Sequence, residues 1–178
     1  GDLNWSIDEN GHLLVTGEGE YNISGQSSKP GWSEYSFEIR SATVKVKGIT
    51  SCWRMFEGLY MMKSIDLTGL DTSNIRNTYS MFAACRSLEK LDLSGFDKAK
   101  IENMAYMFAS CDSLVEIDLS NFDTSSVGAM EYMFWYCEEL KYVKFGDIDT
   151  SKVRGLDYIF SNCYELEYVD FGGIHISY

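Results

Sequence analysis

The chain of 178 residues holds one proline, two histidines and five cysteines. No Pro-rich or Gly/Ser-rich stretch serves as a linker, so composition does not divide it into separate domains. No apolar run approaches the ~20 residues that a membrane-spanning helix needs. Bases are scarce: 15 Lys and Arg stand against 27 Asp and Glu, for a net charge of −12. Nucleic-acid binding depends on neutralising phosphates with Lys and Arg, and an anionic membrane surface makes the same demand, so the composition argues against both. The bland reading of the acidity is solubility. There is no GxSxG, P-loop or Rossmann glycine pattern and no CxxC. His12 and His175 lie at opposite ends of the chain. No secretory leader is present, and Gly1 stands where an initiator Met is expected, so any targeting segment is expected to have been trimmed away.

What the sequence has in abundance is periodicity. "SMFAACRSL", "YMFASCDSL", "YMFWYCEEL" and "YIFSNCYEL" recur every 26 residues. Four units align without a gap at 65–90, 91–116, 117–142 and 143–168, and a partial one runs 169–178. Each opens with two apolar residues flanking one polar residue: Ile65/Leu67, Leu91/Leu93, Ile117/Leu119, Val143/Phe145 and Val169/Phe171. That alternation predicts a short half-buried strand. Leu70, Phe96, Phe122, Ile148 or Ile174 follows, then a turn beginning with Asp71, Asp97, Asp123 or Asp149. After Ile75, Ile101, Val127 or Val153 the period changes. Met104, Met107, Phe108 and Cys111 sit at i, i+3, i+4 and i+7, the spacing of one helix face, and later units repeat it.

One such unit cannot bury its apolar face alone, but a stack can. The expected fold is therefore an α/β solenoid, which the resemblance described below makes leucine-rich-repeat-like and right-handed. It would have a parallel concave sheet, short helices or 3₁₀ turns on the convex side, and a small β N-terminal cap. Strands at ~4.8 Å against helices at ~8–10 Å would bend the stack. A shortened irregular unit covers 44–64, with its strand at Val44–Lys47. Residues 1–43 are assigned to the cap, with two strands around Asn10-Gly11 and Trp5, Ile7, Leu13 and Val15 facing inward. The whole, 1–43 plus 44–178, is expected to be one structural domain.

The signature "DTSxV…MxxMFxxCxxLxxLDLSxFDTS" over 65–176 resembles the BspA-like leucine-rich-repeat surface proteins. More closely, it resembles their 26-residue-repeat subgroup, first noted as a family of unknown function in mycoplasma lipoproteins. The opening "LNWSIDENGHLLVTGEG" is similar to the start common in that group. The resemblance implies a secreted or surface-anchored bacterial protein used in adhesion or protein binding, with no catalytic residues. The implied partner is an unidentified protein or glycan, such as a host surface or matrix component. "DKAK" at 97–100 departs from the pattern by lacking the Thr-Ser pair.

Among candidate residues, Cys85, Cys111, Cys137 and Cys163 form one column, with Leu59 in that place in the irregular unit. On an apolar face the column reads as filler rather than as nucleophile or zinc site. Disulfides between units are not expected if helices hold the units ~8–10 Å apart. Cys52 lies outside the column and is read as unpaired too. No metal or cofactor is expected.

Asp66, Asp92, Asp118, Lys144 and Asp170 form the outward column of the strands. Like charges on adjacent strands repel. The readings are a solvated face, then a basic partner, then a metal, which Lys144 makes least attractive. With Thr68, Ser94 and Ser120 this column is the candidate docking surface. Tyr106, Tyr132 and Tyr158 read as a half-buried shoulder ahead of a binding stripe. Trp135, where other units carry Ala83, Ala109 or Ser161, is the best single contact candidate, with Tyr142 nearby. Two other readings stay open: a purely structural spacer, and an enzyme with its site in the first 43 residues.

Overall fold

The structure, a computed structural model, describes residues 3–21, 29–172 and 175–177. The Ile174 position and the ends of the chain lie outside these. The chain winds into a β-solenoid of about 6 turns. In order come β1 (Asn4–Ile7), β2 (His12–Glu18), a 3₁₀ turn at Gly31–Tyr35, β3 (Ser41–Lys47) and β4 (Ser64–Asp66). A second 3₁₀ turn at Ser94–Phe96 precedes β5 (Glu116–Asp118), β6 (Tyr142–Lys144), β7 (Tyr168–Asp170) and β8 (His175–Ser177).

β1 and β2 form the expected hairpin. Asp8 folds the turn by accepting the amides of Asn10 and His12 at 2.9 Å. Gly11 sits at φ +75°, and a side chain there would strike the Glu38 carbonyl, so only glycine fits. Leu13 and Val15 face the core as expected. Trp5 does not: it is exposed on one face and packs edge-on against Trp32 at 6.3 Å. β2 runs parallel to β3, which begins at Ser41, three residues before the strand start read from sequence.

The sheet is not continuous. β1-β2-β3-β4 and β5-β6-β7-β8 are separate four-stranded sheets, parallel except for the end strands β1 and β8. Leu91–Leu93, expected as a strand, pairs with neither β4 nor β5. The break falls beside the departure "DKAK". Thr72 and Thr124 are buried at the turn, where Thr72 Oγ1 donates to the Gly95 carbonyl and Thr124 Oγ1 accepts the Asp149 amide. Lys98 in the equivalent place cannot be buried, so Ala99 is buried instead. That one-residue shift accompanies the 3₁₀ turn, while Leu93 and Phe96 keep the buried places that Leu67 and Leu70 hold one coil earlier.

The outer wall corrects the expectation of short helices or 3₁₀ turns. Neither occurs there; the two 3₁₀ turns lie elsewhere. Alternate residues close turns on their own coil, as when Met81 donates to Thr78, Ala83 to Ser80 and Cys85 to Phe82. The residues between donate to the next coil: Ser80, Phe82 and Ala84 to the carbonyls of Ala105, Met107 and Ala109 at 2.7–3.0 Å. The same ladder joins Arg54, Phe56 and Gly58 to Tyr79, Met81 and Ala83, and so on to Tyr132, Phe134 and Tyr136. The alternation requires left-handed residues at fixed places, and Ser80, Tyr106, Tyr132 and Tyr158 take φ of 51–57°. Such a conformation costs about 1–2 kcal/mol for a non-glycine residue. It persists because the neighbouring coils bind its amides.

Side chains at the helix-like spacing are buried all the same. Phe56, Phe82, Phe108, Phe134 and Phe160 pile in one file with centroids 5.3–6.0 Å apart. Coils therefore step at β spacing on both walls, and the expected bend from a helix–strand mismatch loses its cause.

Candidate functional site

The sheet face is built on a local rule. In four of the repeat units an Asp ends the strand or strand-equivalent segment, and its carboxylate accepts the amide two residues on: Asp66 from Thr68, Asp92 from Ser94, Asp118 from Ser120 and Asp170 from Gly172, all at 2.9 Å. The hydroxyls of Thr68 and Ser120 donate to the same carboxylate oxygens. These bonds favour the charged form. The Thr68 hydroxyl, then its amide, holds Asp66 below the usual carboxylate range. The Ser94 amide does so for Asp92. At Asp118 desolvation pushes upward, but the bonds from Ser120 and Lys144 outweigh it. The acidic column is thus a row of Asx turns. Asp71, Asp123 and Asp149 do the same at the second turn, with Ser73, Ser125 and Ser151.

Lys144 breaks the acidic row and donates to Asp118 Oδ2 at 3.0 Å. Other pairs also sit one coil apart: Lys63–Glu89, Arg86–Asp112 and Lys141–Glu167 at 3.3–3.8 Å. They are exposed, so each contributes ~0–1 kcal/mol. Glu116, Tyr142 and Tyr168 are cross-strand neighbours in β5, β6 and β7. The Tyr142 hydroxyl donates to Glu167 Oε2 at 2.8 Å, and that bond raises its pKa. These groups border a groove of about 730 Å³ that reaches from Ser64 to Asp170 along the sheet face.

Asp92, Asp118 and Tyr142 line this groove. Asp66, Thr68, Asp92 and Ser94 line a second one, of about 450 Å³, beside the break in the sheet. Ser120 lines neither of these grooves, and its hydroxyl is spent on Asp118. Trp135 is elsewhere. It meets Tyr136 edge-on at 4.6 Å and borders a trough of about 710 Å³ on the outer wall. That trough includes Trp53, Arg54 and Glu57, which the sequence reading did not single out. The available signal was small Ala83 and Ala109 between two large rings. The tyrosine column stacks at 4.7 Å (Tyr106–Tyr132) and 5.0 Å (Tyr132–Tyr158), the packing of a shoulder.

The cysteine column has a bonding role that filler does not describe. Cys85, Cys111, Cys137 and Cys163 each direct Sγ at the Phe carbonyl one coil back, at 3.0–3.2 Å. Leu59 occupies the column where no earlier Phe exists to bond. The coil spacing that was expected to forbid disulfides is absent, since a β step brings the coils within disulfide range. The thiols are nevertheless free. Burial pushes them up, Cys163 to about 11 and Cys52 to about 12, which makes them poor nucleophiles. Among the described residues no group of three His, Cys, Asp or Glu side chains could hold a metal, and no helix is long and apolar enough to cross a membrane.

Residues 44–169 match the family described as Mycoplasma protein of unknown function, DUF285. The chain belongs to this family. The crystal structure of a T. pallidum leucine-rich-repeat protein is similar in fold, with TM-score 0.54 and 17% identity. The match covers 95% of this chain and 79% of that one. No curated protein sequence matches. The DUF285 assignment and this fold together support a BspA-like leucine-rich-repeat module.

Proposed function

We propose that the chain is a non-catalytic binding module of a bacterial surface or secreted protein, and that it engages a protein or glycan through the groove on its sheet face. The observation that carries this reading is the groove itself. It spans several coils and sets Tyr142, 44% exposed, beside the Asp118–Lys144 pair and Glu116. An amphipathic ring flanked by charges suits recognition of a polar macromolecule. Leucine-rich-repeat-like solenoids are typically interaction scaffolds, and the resemblance to BspA-like surface proteins supports the same reading. Asp92 borders this groove, Asp66, Thr68 and Ser94 border the second one, and the bonds of these residues and of Ser120 go into their own turns.

The test is binding of the intact chain to immobilised matrix proteins and glycans. The wild type should bind at least one member of the panel, and Tyr142→Ala and Asp118→Lys should each weaken it about tenfold or more. No binding, or binding that both variants leave unchanged, would overturn the reading. Retained binding lost only in Trp135→Ala would move the site to the outer wall.

A further inference from the structure

The trough of about 710 Å³ on the outer wall crosses four coils and is cut where the side chains are small. Glu57, Ala83, Ala109 and Trp135 are one column of the repeat, so two alanines form a floor between a carboxylate at one end and an indole at the other. Three β steps of ~4.8 Å separate those ends, about 14 Å in all. Ala84 and Ser110 lie beside the alanines, in the column where the following coil has Tyr136. At the first end Glu57 accepts from two nitrogens of the Arg54 guanidinium, one of them Nη2 at 2.9 Å. The guanidinium lies 5.3 Å from the centroid of the Trp53 ring. At the other end Trp135 stands at 90° to Tyr132 and 87° to Tyr136, contacts that fix its ring. The volume falls in the range of small-molecule sites.

We infer that this trough is a binding site for a neutral saccharide. The hydroxyl groups select that class first. On the sheet face, Thr68 and Ser120 spend theirs on Asp66 and Asp118. Around the trough, the hydroxyls of Tyr79, Ser80 and Ser110 have no protein partner among the described residues. Charge selects it next. Arg54, the one basic side chain lining the trough, is neutralised by Glu57, so an anion gains little there. The carboxylate uses two of its about four acceptor positions on Arg54 and can take hydroxyl donors with the rest. The backbone excludes strand addition by a peptide. The amides of Ser80, Ala83, Ala84, Ala109 and Ser110 all bond within the wall, so recognition falls to side chains. A sugar ring matches what they offer: an apolar face for the indole, and hydroxyls around its rim for the serines, the tyrosine and the ion pair. The length of the trough admits a short oligosaccharide rather than a single ring. The site is separate from the groove on the sheet face and does not depend on that groove being used.

The test titrates the isotope-labelled full chain with cellotriose, maltotriose and triacetylchitotriose and reads the indole N–H resonances of its tryptophans. At least one sugar should shift the Trp135 resonance saturably in the millimolar range and leave that of Trp5, in the N-terminal hairpin, in place. Ala109→Trp sets in the floor the ring that its column already carries at Trp135, so the wall accommodates it. It should weaken binding about tenfold or more, as should Trp135→Ala. Amide-exchange protection at Phe82 and Phe108 shows that both variants remain folded. Tyr142→Ala, in the groove on the sheet face, should leave the affinity unchanged. No shift of Trp135 with any of the three sugars, or equal affinity in Ala109→Trp and the wild type, would overturn the inference. Loss of sugar binding in Tyr142→Ala alone would also overturn it, by placing the sugar on the sheet face, and would leave the proposed function standing. A Trp135 shift caused by short uncharged peptides and by none of the sugars would overturn it in favour of a peptide ligand.

Discussion

At the N-terminal end of the stack, the carbonyl that an earlier coil would have used is bonded by the Trp32 indole, and Trp5, Tyr21 and Trp32 cover the coil face. At the C-terminal end, the amides of Tyr158, Phe160 and Asn162 find no acceptor among the described residues, and Leu156 and Tyr158 are exposed. Each sheet carries one antiparallel strand at its outer end, β1 or β8. The difference teaches that each coil presents the same donors to the next, and that at the N-terminal end a non-repetitive segment supplies the missing partner.

Burial should grade along the stack accordingly, and the largest effects should separate its middle from its open end. Phe108 is fully buried between two rings, so Phe108→Ala should cost about 3–5 kcal/mol. Phe160→Ala, half-buried, should cost less than half as much. Urea unfolding of both variants checks this, and equal losses would remove the distinction between middle and end.

Alkaline pH is the next lever. Burial raises the folded thiols above their ordinary value of 9.0. The stability tied to the protonated form is therefore complete well below pH 9 and is lost as pH rises toward the folded values, about 11 for Cys163. At pH 9 each unfolded thiol is half ionised, which costs the fold about 0.4 kcal/mol, or about 2 kcal/mol for the five. Unfolding midpoints measured at pH 7 and pH 9 test the sum. Alkylation of the native chain should modify Cys163, in the last coil, ahead of Cys85 and Cys111.

At the closed end, Trp32→Phe keeps a ring but removes the donor to Met55, and should cost about 1–2 kcal/mol. A loss near zero would mean that the indole bond does not close that end. The smallest contrast lies in one left-handed column. Gly58→Ala near the closed end should cost about 1 kcal/mol, whereas Asn162→Gly at the open end should be close to neutral.

Several of these features could be read from residues alone. The 26-residue period located the Phe file, because a column that must be apolar in every unit faces the shared interior. Asx turns were expected at Asp71, Asp97, Asp123 and Asp149, and three of them, at Asp71, Asp123 and Asp149, form, legible because that bonding spans two residues. The outer-wall backbone was not, since apolar residues at i, i+3, i+4 and i+7 suit a helix and a string of tight turns equally well. The break at Leu91–Leu93 was foreshadowed by "DKAK", yet its consequence depended on Thr72 and Thr124 being buried in neighbouring turns. Of the candidate site, Asp92, Asp118 and Tyr142 meet in one groove, while Trp135 was grouped with Tyr142 by nearness in sequence and lies in another.

What the sequence determined by itself was the repeat, its buried columns and its local turns, all of which follow from side-chain character at a fixed period. Only the tertiary structure decided the hand of the backbone at Tyr106 and Tyr132, the bond from each cysteine to the Phe one coil back, and which end of the wall is closed. Those depend on hydrogen-bond partners a full coil away, and no local pattern of side chains specifies where such partners will lie.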